Sequence, residues 1–174
     1  MNQTVADVVL VVFVCAAAWW DFTTQRIPNT ITVAGLAAAL ILRAPLGGEA
    51  ILEGLAGMGF AFLAGAVLYA LGGIGGGDVK LLAGVGAFLG SAEVLGALCY
   101  SAILGAVFAL LTVIRRGLLP LLVLNTLDLV KSWRSLGQAG QARRLDSPAA
   151  LTVPYGVPIA VGTLLWWFGK GVRL

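Results

Sequence analysis

Residues 54–80 read GLAGMGFAFLAGAVLYALGGIGGGDVK, and the first 24 of these positions carry no charged side chain. A run of this length matches the roughly 17–25 residues that an α-helix needs to cross the hydrocarbon core of a bilayer. Its last six positions, 72–77, contain five glycines, and Asp78-Val79-Lys80 follow at once. The stretch therefore predicts a membrane-spanning helix that ends in a glycine-rich turn beside a carboxylate.

The composition of the whole chain extends this prediction to the protein. Of its 174 residues, 60% are hydrophobic and only 11% are charged, whereas ordinary soluble domains carry roughly 25% charged residues. Backbone polar groups in lipid must be satisfied internally, so the options are a helical bundle or a closed barrel. Long unbroken apolar runs favour helices. The sequence predicts an all-α polytopic membrane bundle, a single transmembrane domain over residues 1–174.

Charged residues separate six apolar runs in all. The third, fifth and last runs are long enough to span the bilayer. The first is also long enough if Asp7 lies at its outer edge, whereas the second and fourth are of marginal length. The two marginal runs are expected to be tilted, short or sheltered inside the bundle. We predict about six transmembrane helices, from runs at 8–20, 27–42, 54–77, 81–92, 94–114 and 147–169.

Basic residues concentrate in one segment, 115–146, which predicts a cytoplasmic loop of about 115–150 by the positive-inside rule. Within it, 118–133 is predicted as an interfacial helix, with a seventh span as the alternative. Counting back through six helices places the loops at 21–29 and 72–80 on the cytoplasmic side. Asp21 and Asp78 would then share one membrane face. Three basic residues do not fit this topology: Arg43, Lys170 and Arg173.

Several kinds of chemistry are excluded by residue type. The chain has no histidine, which rules out Ser-His-Asp and Cys-His catalysis and zinc proteases with an HExxH motif. Cys15 and Cys99 form no CxxC pair, so neither a zinc site nor a disulfide framework is expected. We predict no metal site and no cofactor. The remaining candidates for chemistry are carboxylates, Lys, Tyr and Ser or Thr.

Two carboxylates stand beside unusual backbone sequence. Asp21 closes the first apolar run and precedes Ile27-Pro28-Asn29, where a structural reading is a hairpin with Asn29 as helix N-cap. For Asp78 the structural reading is a flexible turn with this residue as N-cap and Lys80 reaching lipid headgroups. Taken together, two carboxylates on one face can share a proton, since both cannot ionise cheaply. The ionised partner activates water while the protonated partner donates to a carbonyl, which would hydrolyse a peptide bond.

These motifs resemble one family. The order of Asp21…Ile27-Pro28-Asn29, then Gly75-Gly76-Gly77-Asp78-Val79-Lys80, then Pro154-Tyr155-Gly156 is similar to that of type IV prepilin peptidases. These are GxGD membrane aspartyl proteases, distantly similar in motif to presenilin and signal peptide peptidase. The resemblance implies that Asp21 and Asp78 are the catalytic aspartates and that Lys80 has a positioning or structural role.

The remaining motif residues are implied to bind substrate or support the site. They are Pro28, Asn29, Gly75, Gly77, Pro154, Tyr155 and Gly156. An alternative for the last three is that they merely begin the last helix, with Pro154 near its first position. Larger family members carry CxxC motifs and also N-methylate the mature pilin. This chain has no CxxC motif. In this respect it resembles the short, protease-only peptidases of tight-adherence (Flp) pilus systems or the archaeal preflagellin peptidases, so methyltransferase activity is not expected.

The implied partners are prepilin or pseudopilin precursors with a short basic leader, and membrane lipid; no nucleic acid is expected. The implied location is the bacterial cytoplasmic membrane, with the site facing the cytoplasm. Two other classes stay open at this stage. One is a small transporter or ion or proton relay that uses the same acids, and the other is a structural subunit of a secretion system.

Overall fold

A computed structural model describes residues 3–115, residue 117 and residues 154–169. The described residues form only helices, turns and connecting segments, which confirms the predicted all-α class. The helices are α1 (Gln3–Thr24), α2 (Asn29–Arg43), a 3₁₀ helix (Ala44–Leu46), α3 (Gly48–Ala70), α4 (Gly76–Leu89), α5 (Ser91–Arg115) and α6 (Gly156–Gly169). The predicted interfacial helix at 118–133 and nearly all of the predicted loop at 115–150 lie outside these residues.

Four helices are long and apolar enough to cross a membrane: α1, α2 with its 3₁₀ turn, α3 and α5. The helices α4 and α6 have 14 residues each, or about 21 Å, against a hydrocarbon core of about 30 Å. Six full spans are therefore not present in the described part of the chain. Of the last run the structure describes α6, which begins at Gly156, and residues 147–153 lie outside the described residues, so the count of six stays a prediction.

The chain divides into two compact units. One comprises residues 1–105 and 154–174, and the other comprises residues 106–153. The described part of the second unit consists of the last part of α5 and Gly117. Every residue of the candidate site lies in the first unit.

The short helix α4 is the buried centre of the first unit. Ten of its 14 residues are buried, and it packs against α1, α2, α3 and α6. At its closest approach to α3, the backbones of Gly57 and Gly86 are in contact, and a Cβ on either residue would collide with the other helix. Small residues allow this kind of close helix packing in membranes. The fourth apolar run is thus short and sheltered, as the sequence led us to expect.

The outer surface of the described helices is apolar. Large hydrophobic side chains such as Val12, Leu63 and Ile103 are exposed on α1, α3 and α5. Exposed apolar surface on this scale is not found on soluble monomers. Together with the four long helices, it is consistent with a multi-pass membrane protein.

The helices α1 and α6 run antiparallel and are joined at both ends. The indole Nε1 of Trp167 donates to Oδ1 of Asp7 at 2.7 Å. At the other end, the backbone N–H of Gly156 donates to Oδ2 of Asp21, also at 2.7 Å. These two bonds fix the register of α1 against α6.

The hydrogen bonds of Arg43 explain why this basic residue does not follow the positive-inside pattern. Its guanidinium donates from Nε to the carbonyl of Ala87 at 2.8 Å, from Nη2 to that of Phe88 at 2.9 Å and from Nη1 to that of Ala50 at 3.0 Å. The first two carbonyls belong to the last turn of α4, where a cation is favoured by the helix dipole. Its position therefore follows from capping α4 and carries no information about topology.

Candidate active site

Asp21 lies in the last turn of α1 and is buried, with 6% of its surface exposed. Its Oδ2 atom accepts the hydrogen bond from the N–H of Gly156, the first residue of α6. The first N–H groups of a helix have no partner within the helix, and a carboxylate is favoured there by the helix dipole. Asp21 therefore caps α6 from a different helix. The sequence analysis did not anticipate this contact, and the catalytic role of Asp21 stays a prediction.

Gly156 is the residue that permits this contact. A Cβ at position 156 would lie 2.9 Å from Oδ2 and 3.0 Å from Cβ of Asp21, closer than a side chain can approach without displacing the carboxylate. The helix begins at Gly156, two residues after Pro154, in agreement with the interpretation that Pro154-Tyr155-Gly156 lead into the last helix with Pro154 near its first position. The N–H of Gly156 has no acceptor within its own helix, and Oδ2 of Asp21 accepts its hydrogen bond.

Asp78 is the third residue of α4 and is also buried, with 8% of its surface exposed. Its Oδ2 atom accepts from the backbone N–H of Gly75 at 2.9 Å, and its own N–H donates to the carbonyl of Gly75 at 3.1 Å. The interpretation of Asp78 as N-cap of a flexible turn was therefore wrong. The helix already begins at Gly76 because these two bonds satisfy the helix start.

The carboxyl group of Asp78 is shifted toward its protonated form. Its pKa is raised from 3.8 to about 6, chiefly by burial, with the hydrogen bond from Gly75 acting in the opposite direction and the negative charge of Asp21 contributing to the rise. Desolvation and a nearby like charge both disfavour the ionised form. The two aspartates are thus close enough to interact electrostatically at one end of the bundle.

Ile27 and Gly77 bring the first two motifs together. A Cβ on Gly77 would lie 3.3 Å from Cβ of Ile27, so the side chain of Ile27 packs directly on the first turn of α4. Ile27 is buried. It precedes Pro28, whose extended backbone starts α2. The absence of a side chain at Gly77 therefore allows Ile27 to approach α4 closely.

Asn29 and Lys80 form a second link between the same motifs. The ammonium group of Lys80 donates to Oδ1 of Asn29 at 2.7 Å. The interpretation of Asn29 as N-cap was wrong, because Pro28 holds the cap position of α2 and makes no side-chain cap bond. The side-chain amide of Asn29 therefore makes no cap bond to α2 and accepts the hydrogen bond from Lys80 instead.

Tyr155 extends the site toward α5. It is half-buried and its ring lies against Gly105, where a Cβ would collide with the phenol. Burial raises the pKa of Tyr155, and the charge of Asp78 raises it further. The third motif therefore contacts Asp21 through Gly156 and interacts electrostatically with Asp78 through Tyr155.

Two contributors were not identified as site residues from the sequence. Ile27 was noted as part of a motif, and Gly105 is one of many small residues in the fifth run. Nothing in a single sequence distinguishes Gly105 from its neighbours. Among residues 3–115 and 154–169, no group of three or more His, Cys, Asp or Glu residues could hold a metal ion.

The arrangement presents two buried carboxylates, each with one oxygen held by a backbone N–H, in a setting where one of them resists ionisation. Such a pair can take up a proton at one member while the other donates one. The geometry is suited to acid–base chemistry on water and a carbonyl group.

Residues 8–110 match the sequence profile of the type IV leader peptidase family. The matched range includes Asp21 and Asp78 and ends before Pro154. A prepilin leader peptidase/N-methyltransferase from Myxococcus xanthus (strain DK1622) is 31% identical over 122 residues, which cover 66% of this chain and 36% of that protein. The chain thus spans little more than a third of the length of this relative. No solved structure gives a significant match.

Proposed function

The chain belongs to the type IV leader peptidase family, and from this premise we propose that it is an aspartyl endopeptidase that removes the leader from type IV prepilin-like precursors. The observation that carries the proposal is the pair of buried aspartates, Asp21 and Asp78, held at one end of the bundle by backbone N–H groups of two different helix starts. The family match covers both residues.

In the proposed reaction the pair carries a single proton. The ionised carboxylate removes a proton from a water molecule as its oxygen attacks the scissile carbonyl carbon, and the protonated carboxyl gives its proton to the carbonyl oxygen. The resulting gem-diol collapses when a proton passes to the peptide nitrogen and the C–N bond breaks. The products are a carboxylate and an amine, and the aspartates return to their starting charge. No covalent intermediate is formed.

The other motif residues are proposed to support the pair. Gly156 holds Asp21, and Gly75 holds Asp78. The side chain of Ile27 packs on Gly77. The hydrogen bond from Lys80 to Asn29 links α4 to the start of α2. Pro28 sets the extended backbone before α2, and Pro154 and Tyr155 lead into α6. Substrate binding is part of the proposal for Tyr155, which interacts electrostatically with Asp78, and for Lys80, which is exposed on the same helix as Asp78.

The proposed substrates are precursors with a short basic leader followed by an apolar segment. The proposed location is the bacterial cytoplasmic membrane, with the aspartates at the cytoplasmic end of the bundle, in the orientation that the basic segment 115–146 predicts. Membrane lipid surrounds the apolar outer surface. The proposal concerns the peptidase reaction alone.

An ion or proton relay is not favoured by the described acids. A relay across the membrane needs ionisable groups along its path, whereas the acidic residues of residues 3–115 and 154–169 lie at the two ends of the helices. At one end are Asp21 and Asp78, and at the other are Asp7, Glu49, Glu53 and Glu93.

The test is cleavage of a purified prepilin by the protein in detergent, followed by a gel shift and mass spectrometry of the product. Asp21→Asn and Asp78→Asn should each abolish cleavage, whereas Glu49→Gln, the same chemical change at an exposed position on α3, should not. Thermal unfolding of each variant checks that it is folded. Cleavage retained by either aspartate variant would remove that residue from the mechanism, and an inactive wild type that conducts ions in proteoliposomes would overturn the proposal.

A further inference from the structure

Gly105 of α5 lies against the phenol ring of Tyr155. A Cβ built on Gly105 would collide with the hydroxyl oxygen and Cζ of Tyr155 and would lie 2.8 Å from its Cε2. The three atoms nearest to such a Cβ all belong to this one side chain. The phenol therefore occupies the space that a side chain at position 105 would fill.

The same two helices have a second contact of this kind. A Cβ on Gly96 would collide with the indole ring of Trp166. In both contacts a glycine of α5 makes room for an aromatic ring. They differ in position, because Tyr155 precedes α6 at the end where the aspartates lie, whereas Trp166 lies near the other end of α6 and donates from Nε1 to Oε2 of Glu93 at 3.2 Å. Gly96 is thus a natural comparison for Gly105.

Tyr155 is linked to the two aspartates in different ways. Its carbonyl belongs to the peptide group whose N–H, that of Gly156, donates to Oδ2 of Asp21 at 2.7 Å. Its phenol is half-buried and interacts electrostatically with Asp78. Rotation about the Cα–Cβ bond can move the phenol without moving this peptide group. The position of the phenol therefore needs a constraint of its own, and the contact with Gly105 supplies one.

A phenol beside two carboxylates has a definite use in peptide hydrolysis. Its hydroxyl is a neutral group that both donates and accepts hydrogen bonds, so it can hold a peptide group of the substrate without adding a charge to the pair. Such a group is effective only where it is held in place, since a misplacement of about 1 Å lowers rates by roughly a hundredfold. A residue that fixes the phenol therefore contributes to the reaction without touching the substrate.

We infer that Gly105 is a positioning residue of the proposed peptidase, and that it acts by leaving the space in which the Tyr155 phenol is held to bind the scissile peptide. The inference rests on the proposed function. In Gly105→Ala the added methyl group meets the end of a side chain and no backbone atom, so the phenol is displaced while α5 keeps its place. Alanine also favours a helix more than glycine does.

The first test compares precursor cleavage by Gly105→Ala and by its matched control, Gly96→Ala. Each variant adds one methyl group on α5 against an aromatic ring, so a general loosening between α5 and α6 would affect both alike. Gly105→Ala should lower kcat/KM by about tenfold or more, whereas Gly96→Ala should keep wild-type kinetics. Equal kinetics of the two variants would overturn the inference.

The second test asks whether Gly105 acts through the phenol. Tyr155→Ala should itself lower kcat/KM, and the addition of Gly105→Ala to this variant should change nothing further, because the methyl group then meets no ring. Full activity of Tyr155→Ala would overturn the inference. A loss in the double variant equal to the product of the two single losses would overturn it as well.

The third test observes the phenol directly and needs no substrate. The chain has three tyrosines, and the ionisation of Tyr155 is the part of the alkaline ultraviolet titration that is lost in Tyr155→Phe. The titratable groups that face Tyr155 in the described chain are Asp78 of α4 and, across Gly156, Asp21 of α1.

A displaced phenol should ionise at lower pH. Burial raises the pKa of Tyr155, and the charge of Asp78 contributes to the rise. Because the ring is half-buried, the added methyl group should move it toward its exposed side, where both effects weaken. Tyr155 should therefore titrate at lower pH in Gly105→Ala than in the wild type, and at the wild-type pH in Gly96→Ala.

The outcomes separate the inference from the proposed function. An unchanged titration of Tyr155 in Gly105→Ala would overturn the inference even if cleavage were lost. A wild type that cleaves no precursor would overturn the proposed function, and the inference with it, even if the two glycine variants differed in their titrations.

Discussion

The carboxylate of Asp21 accepts a hydrogen bond from the backbone N–H of Gly156, a residue 135 positions later in the chain. This bond makes the start of α6 part of the site, although α6 contributes no acid. It also explains why the motif Pro154-Tyr155-Gly156 ends in glycine, since a Cβ at position 156 would collide with Asp21. Three separate motifs therefore meet at the two aspartates.

A methyl group at position 156 should displace Asp21. In Gly156→Ala the added carbon would lie 2.9 Å from Oδ2, so the carboxylate must move. Misplacement of a catalytic group by about 1 Å lowers rates by roughly a hundredfold. We expect prepilin cleavage to fall by about 10–100-fold, measured as kcat/KM, with the protein still inserted in the membrane.

Gly169→Ala is the control for that substitution, because Gly169 ends the same helix and its Cβ would meet no atom within 4 Å. It should keep wild-type activity. If Gly156→Ala cleaved as fast as Gly169→Ala, the contact between Asp21 and α6 would have no part in the reaction.

The pH dependence of cleavage should follow Asp78. Burial raises the pKa of this carboxyl to about 6, and the groups that face it are Asp21 of α1 and Tyr155 before α6. The pair needs one proton, so the rate should fall by roughly tenfold per pH unit above that pKa. Initial rates between pH 5 and 8.5 measure this. A rate that rises steadily over pH 6–8 would contradict protonated Asp78 as the proton donor.

The same pKa predicts that Asp78→Asn stabilises the protein. The folded state binds a proton at Asp78 between pH 3.8 and about 6 that the unfolded state has released, so wild-type stability falls as pH rises through this range. At pH 7.5 the buried charge lowers stability by roughly 3 kcal/mol on this basis. Asn keeps an acceptor for the N–H of Gly75.

We therefore expect Asp78→Asn to raise the free energy of unfolding by about 1–3 kcal/mol at pH 7.5, with the difference vanishing near pH 4. Thermal unfolding in detergent at the two pH values measures it. Destabilisation at pH 7.5 would show that the Asp78 carboxylate is favourably solvated in the folded protein.

Asn29 and Lys80 should be coupled energetically. The bond between Lys80 Nζ and Asn29 Oδ1 is 2.7 Å long, and hydrogen bonds to charged groups contribute about 1.5–3 kcal/mol when desolvated. Both residues are exposed, which reduces this to about 0.5–1 kcal/mol. A double-mutant cycle with Asn29→Ala and Lys80→Met, read out by unfolding, measures the coupling. Strict additivity would mean that the bond contributes nothing to joining α2 and α4.

Arg43→Met should destabilise the bundle without touching the aspartates. It removes three hydrogen bonds to backbone carbonyls, two of them at the end of α4. The uncapped carbonyls should lower stability by about 2–4 kcal/mol. Arg26→Met is the control, because Arg26 is exposed and lies in the loop at the other end. Equal melting temperatures would contradict the capping role.

Much of this architecture could be predicted from charge and hydropathy. The positions of acids at the ends of apolar runs indicate that Asp21 and Asp78 lie on one side, and the short fourth run indicates a sheltered helix. The family resemblance, carried by the residues around these acids, is confirmed by the match over residues 8–110.

The contacts between motifs could not be predicted in this way. Periodicity shows which face of a helix is buried but not which residue of another helix lies against it, so the contacts of Asp21 with Gly156 and of Ile27 with Gly77 stay hidden. The cap residues were also misassigned. Asn29 and Asp78 have the residue types of N-caps, yet tertiary partners, Lys80 for one and the Gly75 N–H for the other, set their positions.

The shortness of α4 has a consequence for biogenesis. A segment of 14 residues with four glycines, and with Asp78 and Lys80 in its first two turns, is shorter than a spanning helix and is a poor substrate for insertion by the translocon. We expect it to enter the bilayer together with α3, against which it packs through the contact between Gly57 and Gly86. The helix that carries Asp78 thus needs its neighbours for insertion into the membrane as well as for the positioning of its carboxylate.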